Sequence, residues 1–478
     1  MRSMEIKPVS RFIFEYPLNF DARNSRTNSL TTRAAFVKPR SSDSWGKSMK
    51  PNNSDRRRFL KNSAALAGLA VGMAKTAKGE TSAVESSAAP ATDLHAYGAR
   101  SRYETSARLG APGLYDPATP GYHQDFGWRN PIQDSVGYIT PASLHFVIAH
   151  GYEPPDIDPA EHHLLIHGLV DKPLIFSLDD LKRFPSVTRA HFLECNANGA
   201  PAGPTGRFRV SPDATAQDTH GFTSCSLWTG VPLSIILKHV GVKPEAKWII
   251  GEGSEKGKHT KSIPIEKAMD DVLIAYGQNG EALRPQQGYP IRLLVPGWEG
   301  INNVKWLRKI KLVEEPYMGM WESTKYPSLR PDGLSRWFQF QMGPRTVITR
   351  PSGGQKLNGP GFYEISGLAW SGGGLVKSIE VSTDNGQTWR EAEIQSPVYP
   401  KAHVRFGFGW DWNGEETILK SRCTDEAGER QPTVVELAKF WKVEPDFFIK
   451  TGTIPGHFNA IQPWKVNRDG SVQNALVL

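Results

Sequence analysis

A cysteine at the end of a predicted strand is the residue best placed for chemistry in this sequence. Residues 191–199 read HFLECNANG, so Cys195 ends a strand and enters a loop that continues through Ala200 to Pro204. A thiol at such a junction can point into a cleft, where its thiolate is a soft metal ligand. On spacing alone, a single cysteine is more often a small buried hydrophobic residue. The neighbouring motifs must decide between these two roles.

The remaining cysteines exclude several kinds of site. The 478 residues contain three cysteines, which allow at most one disulfide and leave one thiol free. The sequence has no CxxC or CxxCH motif, so neither a zinc ribbon nor a covalently attached c-type haem is expected in this chain. Cys225 and Cys423 are interpreted as structural, the second because it lies in a predicted strand.

The positive net charge belongs to the first part of the chain. Residues 1–80 hold 16 Lys and Arg against 6 Asp and Glu, a balance of +10, and the whole chain carries +8, which leaves −2 for the rest. The main body therefore has no global basic field, and nucleic acid is not an expected partner. No run of eighteen uncharged apolar residues occurs, so no membrane span is expected.

Residues 49–92 have the order of an export signal and a linker. Residues 55–61 read DRRRFLK, and a short stretch rich in Gly and Ala follows from Ser63 to Met73. This order resembles the twin-arginine signal, which exports folded proteins and predicts a periplasmic location. The alternative is a basic linker before a short helix. Residues 1–48 are interpreted as a non-native extension, with translation starting at Met49.

The rest of the chain contains two regions with different sequence patterns. Short strands, brief helices and long Gly/Pro loops over residues 93–344 predict a mixed α+β domain. Residues 345–445 show alternating strands and close turn signals, such as Asp384-Asn385-Gly386, which predict an immunoglobulin-like antiparallel β-sandwich. A tail over residues 446–478 is expected to pack back onto one of the two domains.

A series of motifs recurs in a fixed order from about residue 140 to 440. The segments read CNAN (195–198), WTGV (228–231), SIP (262–264), LIAYGQNG (273–280), GYPIR (288–292), VKWL (304–307), AWSGGG (369–374) and VSTDNGQTW (381–389). Their joint order, rather than any single motif, resembles the sulfite oxidase family of molybdenum enzymes. Within the family, the segments THGFTSCS (219–226), MDDV (269–272) and SRCTD (421–425) most resemble the molybdenum subunit of periplasmic Sox sulfane dehydrogenases.

The resemblance implies a fold, a cofactor and a set of site residues. It implies a sulfite-oxidase-type mixed α/β molybdopterin domain, followed by an immunoglobulin-like dimerisation domain. Molybdenum with molybdopterin is the implied cofactor, with Cys195 as its thiolate ligand. By the same resemblance, Tyr276 and Arg405 are expected on the substrate side, and the residues expected to contact the cofactor are His150, Asn198, Arg292 and Lys305.

Two departures from the family pattern bear on the substrate. The family motif Arg-Asn-His reads Ile148-Ala149-His150 here, and Ala200 stands where sulfite oxidases carry an arginine. Arginine matches small oxyanions because its planar fork donates two parallel hydrogen bonds. Its absence at both positions favours a neutral or protein-tethered sulfur over free sulfite.

The function that follows is oxidation of a reduced sulfur compound by oxygen-atom transfer at molybdenum. Electrons are expected to leave to a separate c-type cytochrome, a sulfur-carrier protein is a possible second partner, and the chain is expected to form a homodimer or hetero-oligomer. Two alternatives stay open at this point. One is a molybdenum-dependent reductase of sulfoxide-type substrates, and the other is a non-catalytic β-sandwich assembly protein.

Overall fold

The structure, a computed structural model, describes part of the chain. The chain divides into two compact units, residues 20–104 and residues 1–19 with 105–478. Of the first unit, residues 100–104 are described, and the Glu104 amide donates to the Ser101 carbonyl there. The export-signal prediction and the His150 prediction lie outside the described residues. The described ranges are 15–17, 100–110, 127–149, 153–200, 211–329, 334–336, 338–451 and 457–476.

Two sheets form the framework of the α+β part. In the first, one neighbouring pair is parallel and three are antiparallel. Its strands lie in the order Thr260–Pro264, Trp248–Gly253, Leu307–Val313, His163–Gly168 and Leu174–Ser177. The second sheet has the order Glu281–Ala282, Leu273–Gln278, Thr223–Pro232 and Val187–Glu194, with Arg292–Leu294 also paired to Leu273–Gln278.

Short helices pack on these sheets, and their boundaries follow local capping. One helix spans Leu178–Lys182 and begins with a capping box, in which the Ser177 and Asp180 side chains each bind the other's backbone amide. A longer helix spans Leu233–Val240, and its buried face joins the core of the first sheet. No described helix is long and apolar enough to cross a membrane. The other α-helices are Ala216–His220, Ile265–Asp270, Val434–Trp441 and Phe447–Thr451, with 3-10 turns at Ile132–Asp134, Pro285–Gln287 and Gly300–Asn302 and a π-helical turn at Trp321–Lys325.

The second half is the predicted β-sandwich, and the predicted fold class is confirmed. The expected turn is present, with Asn385 and Gly386 at positive φ values of 64° and 92°. The tail adds two strands to one of the sheets. One sheet has the order Arg345–Arg350, Gly361–Trp370, Val404–Trp412 and Glu393–Ile394, and the other has Arg390–Glu391, Val376–Ser382, Thr417–Asp425, Trp464–Val466 and Val472–Asn474.

Two three-stranded sheets complete the secondary structure. One joins Leu109–Gly110, Gly127–Arg129 and Val147–Ile148. The Phe146 amide donates to the Ser224 hydroxyl of the central strand, which fixes this segment in place. The other small sheet has the order Glu15–Pro17, Leu334–Arg336 and Ser328–Leu329.

Candidate active site

A cavity of about 780 Å³, counted with its open mouth, lies beside the end of the Val187–Glu194 strand. Apolar and aromatic side chains form most of the wall, and a few charged or polar groups converge on it. The lining residues are His145, Phe146, Val147, Ile148, Ala149, Leu193, Cys195, Asn196, Glu255, His259, Gln287, Arg292, Gly300, Ile301, Asn303, Lys305, Trp306, Trp321 and Tyr326.

Cys195 lies on the wall of this cavity. It follows directly after the strand, its amide donates to the Phe222 carbonyl at 3.0 Å, and its carbonyl accepts from the Asn198 amide at 3.0 Å. Burial, with smaller contributions from the nearby Glu299 and Glu194, raises the pKa of the thiol to about 12. A bound metal cation would reverse this balance, because coordination deprotonates a thiol. Cys195 is therefore placed to supply one soft sulfur ligand.

The loop after Cys195 rests on a buried ion pair. Arg345 Nη1 lies 3.1 Å from Glu194 Oε1, and both side chains are fully buried. The same guanidinium nitrogen donates to the Asn198 carbonyl at 2.7 Å. Gly199 has a φ of 71°, and a Cβ there would lie 2.3 Å from Arg345 Nη1. Only glycine fits at this position, since both the backbone conformation and the close approach of the arginine exclude a side chain.

Asn198 braces the loop and does not line the cavity. Its amide nitrogen donates to Glu194 Oε1 at 2.8 Å, and its amide oxygen accepts from the Phe222 backbone at 3.0 Å. Both ends of the side chain are therefore engaged within the protein. The neighbouring Asn196 lies on the wall instead, with its oxygen 3.6 Å from Cys195 Sγ.

Arg292 and Lys305 supply the positive charge of the cavity. Arg292 donates to the Gln287 and Asn303 carbonyls, and burial lowers its pKa to about 9. Lys305 Nζ donates to the Ile148 carbonyl at 2.8 Å, and burial together with Arg292 lowers its pKa to about 7. A bound anion would favour the charged form of both side chains. The sequence prediction placed both residues with the cofactor, and both line the same cavity as Cys195.

The structure does not bring Tyr276 and Arg405 to this cavity. Tyr276 is half-buried and packs against the apolar core of the α+β part. Arg405 lies in the sandwich strand Val404–Trp412 and donates to the Ser135 and Gly137 carbonyls at 2.6 to 3.1 Å. Its hydrogen bonds thus join the sandwich to the loop between the strands Gly127–Arg129 and Val147–Ile148 of the small sheet.

Several cavity residues were missed from sequence. Tyr326 follows the π-helical turn and is the tyrosine on the wall; Lys261 Nζ lies 5.7 Å from its ring centroid. Trp321 stands beside it at 6.0 Å between ring centroids. Glu255 and His259 belong to the turn between two strands of the first sheet. No periodic pattern marks these positions, although π-helical turns are often found at functional sites.

Three buried polar atoms of cavity residues have no hydrogen-bond partner among the described residues. They are His145 Nε2, Glu255 Oε2 and Arg292 Nε. Leaving such an atom unpaired costs about 1–3 kcal/mol, so a polar ligand with both donors and acceptors fits this wall. A pterin ring system carries both, and the Cys195 sulfur suits a metal whose other ligands come with an organic group. The residues present therefore fit the molybdopterin that the resemblance implies.

Comparison with known proteins agrees with this site. Residues 150–321 match the oxidoreductase molybdopterin binding domain, and residues 336–444 match the Mo-co oxidoreductase dimerisation domain. In the solved structure of the sulfane dehydrogenase SoxCD from Paracoccus pantotrophus, the similar chain is 37% identical, with a TM-score of 0.71 over 83% of this chain and 97% of that one.

Curated relatives include nitrate reductases. The NADH nitrate reductase of Volvox carteri is 31% identical over 347 residues, which cover 63% of this chain and 38% of that protein. NADH nitrate reductase 1 of Arabidopsis thaliana is 32% identical over 341 residues, 62% of this chain and 36% of that protein. This chain thus spans less than two fifths of the length of these relatives.

Proposed function

Because this chain belongs to the sulfite oxidase family of molybdenum oxidoreductases, we propose that it oxidises a reduced sulfur compound by oxygen-atom transfer. The observation that carries the proposal is the 37% identity to the sulfane dehydrogenase chain, of which this chain covers 97%. Family membership identifies molybdenum with molybdopterin as the cofactor and contradicts the non-catalytic alternative. The finer parts of the proposal are a carrier-bound sulfane substrate, a c-type cytochrome acceptor and a periplasmic location.

The residues of the cavity have separate tasks in this proposal. Molybdenum held by molybdopterin supplies the oxygen-atom and electron transfer when bound, and Cys195 is the residue that would ligate it. Arg292 and Lys305 offer cationic donors to the anionic phosphate of the cofactor. The rings of Trp321 and Tyr326 wall the cavity and limit the access of water.

The cavity wall bears on the choice of substrate. Ile148 lines the cavity, so the departure from arginine at this position removes a cation from the wall itself. Ala200 does not line it and is buried in an apolar cluster with Trp441 and Phe448. Of the two departures, only Ile148 therefore disfavours a small dianion in the cavity. An apolar surface there suits a sulfur carried on a neutral peptide arm better than free sulfite.

Assembly and electron transfer complete the proposal. The match to a dimerisation domain and the similarity to SoxCD support a homodimer or a hetero-oligomer. A cytochrome that only collects electrons is expected to bind weakly, over less than about 1,200 Å². Light scattering of the purified protein, alone and with cytochrome c, would measure both states.

The test is a substrate comparison on the purified, metal-loaded protein. Sulfite, thiosulfate and a cysteine-persulfide peptide are each offered with and without cytochrome c. We expect kcat/KM for the persulfide peptide to exceed that for sulfite by about tenfold. A higher value for sulfite would overturn the substrate ranking, and a protein without molybdenum would overturn the function.

Nitrate reduction is the second candidate, because the curated relatives named above are nitrate reductases. It runs in the opposite redox direction, so nitrate and dimethyl sulfoxide are offered with reduced viologen as the electron donor. Faster turnover of nitrate than of every sulfur donor would favour this candidate. Faster turnover of the sulfoxide would favour the reductase alternative.

A further inference from the structure

His145 is a fully buried histidine whose ring belongs to the cavity wall. Its Nδ1 lies 2.9 Å from the Phe146 carbonyl oxygen. A carbonyl oxygen only accepts, so Nδ1 carries the proton and Nε2 is left with its lone pair. The ring is held by neighbours on two sides, since it stacks on Phe146 and meets Trp228 edge-on at 5.8 Å between centroids. One tautomer and one ring orientation are therefore fixed.

The surroundings keep this imidazole neutral. Burial is the main cause that lowers the pKa of His145 to about 3; the Phe146 carbonyl opposes it, and Arg292, Arg108 and Lys305 contribute to the lowering. Above that pKa the imidazole is neutral, so with Nδ1 protonated Nε2 can accept a hydrogen bond but cannot donate one.

Nε2 has no hydrogen-bond partner among the described residues, although it is fully buried. Buried acceptors are nearly always paired, with protein, water or ligand. On the wall of the same cavity, Gln287 Nε2 donates to the Phe146 carbonyl at 2.9 Å, and Arg292 Nη1 lies 3.3 Å from Gln287 Oε1. Gln287 is thus paired with its neighbours, whereas His145 Nε2 and Arg292 Nε stay unpaired, and Nε2 can accept from a donor that enters the cavity.

We propose that His145 Nε2 accepts a hydrogen bond from an N–H group of the pterin ring system and so positions the organic part of the cofactor. Pterin offers such donors at its ring nitrogen and its exocyclic amino group. The inference rests on the molybdopterin cofactor of the family, and it is independent of which substrate the protein oxidises. An ordered water is the competing partner of Nε2.

Two substitutions separate the hydrogen bond from packing. His145→Gln keeps an acceptor near the position of Nε2, whereas His145→Asn keeps only the donor near the position of Nδ1. The readout is the rate at which the loaded protein releases its pterin, followed by the fluorescence of the oxidised pterin. We expect release about tenfold faster than wild type from His145→Asn. Release from His145→Gln is expected to stay within about threefold of wild type.

His403 provides a matched control. It is also a buried histidine with an unpartnered ring nitrogen, its Nε2 pairs with the Thr223 hydroxyl at 2.9 Å, and it does not line the cavity. His403→Asn should lower the melting temperature without faster pterin release. Equal release from His145→Asn and His403→Asn would overturn the proposal, because a general loss of stability would then explain both.

A second measurement uses the wild-type protein and needs no substitution. In protein labelled with ¹⁵N-histidine, the Nε2 resonance of His145 should shift between the apo and the molybdopterin-loaded state, because an acceptor nitrogen changes when it gains a hydrogen bond. The His403 resonances serve as the internal reference. An unchanged His145 resonance would overturn the proposal and assign Nε2 to water. If the wild-type protein bound no pterin at all, the family-based cofactor would fail instead.

Discussion

Glu194 and Arg345 form a fully buried ion pair that ties the residue before Cys195 to the first strand of the β-sandwich. Trp370 Nε1, also from the sandwich, donates to Glu194 Oε2 at 2.8 Å. The pKa of Glu194 is nevertheless raised, because burial outweighs the attraction of Arg345. Burying this pair thus costs desolvation free energy, and its hydrogen bonds hold the cysteine loop in place. The sandwich supports the active site as well as carrying the features of a dimerisation domain.

Removing the charge of Glu194 should destabilise the protein. Glu194→Gln leaves Arg345 buried without its counter-charge, so we expect the free energy of unfolding to fall by about 3–5 kcal/mol. Urea unfolding at pH 7 measures it. Glu415→Gln is the control, because its pair with Arg468 is exposed and is expected to contribute less than about 1 kcal/mol. Equal effects of the two substitutions would contradict the role of the buried pair.

Replacing Cys195 should remove the metal ligand. Serine offers a harder oxygen with a much higher pKa, so Cys195→Ser is expected to abolish turnover and to lower the molybdenum content. Metal analysis and an oxidation assay measure the two effects. Cys225→Ser is the matched control, since Cys225 is fully buried in the core that joins the domains and does not line the cavity. Wild-type activity of Cys195→Ser would show that the assignment is wrong.

The sequence was sufficient to predict a cavity residue where that residue lies in or next to a regular strand. Cys195 directly follows a strand and Arg292 begins one, and both belong to the motifs that resemble the sulfite oxidase family. Tyr276 also lies in a strand, but its side chain packs into the core, beside a register shift between Ala275 and Gly277. Tyr326 reaches the cavity because it follows a π-helical turn, and no hydrophobic periodicity in the sequence predicts such a turn. His145 was missed because its place on the cavity wall is set by tertiary contacts, which the sequence pattern does not reveal.

Acid sensitivity should be traceable to His403. Burial lowers its pKa to about 3, below the value of about 6.5 expected in the unfolded chain. The unfolded state therefore binds more protons between these values, and the contribution of His403 to stability is complete above pH 6.5 and is lost as the pH falls. We expect His403→Gln to reduce the slope of unfolding free energy against pH by about 1.4 kcal/mol per pH unit between pH 4 and 6. Denaturant unfolding across this range measures it, and an unchanged slope would contradict the buried neutral state.

Export should depend on the paired arginines of the leader. The twin-arginine signal is read by a receptor, so charge alone is not sufficient. Replacing both Arg56 and Arg57 with lysine should leave most of the protein in the cytoplasm, whereas Lys61→Arg should be exported normally. Fractionation of cells followed by immunoblotting measures the distribution. Periplasmic delivery of the double lysine variant would refute the export proposal.

The cavity wall at Ile148 should set the preference between sulfite and neutral sulfur donors. Ile148 is partly exposed on the wall, and its carbonyl already binds Lys305 Nζ. A guanidinium added here would lie near the existing cations and would stabilise a bound dianion through charge-assisted hydrogen bonds. We therefore expect Ile148→Arg to lower the KM for sulfite by about tenfold and to leave the KM for a cysteine-persulfide peptide unchanged or higher.

Ile148→Gln is the control for this substitution, because it adds polarity and similar length without charge. If charge is the cause, the glutamine variant should keep the wild-type ratio of kcat/KM for the two substrates. The effect of the arginine should also weaken with salt, since an ion pair near an open mouth is screened. Steady-state kinetics with both donors at low and high ionic strength measure the difference. An equal gain for sulfite in both variants would show that polarity rather than charge at position 148 governs the substrate preference.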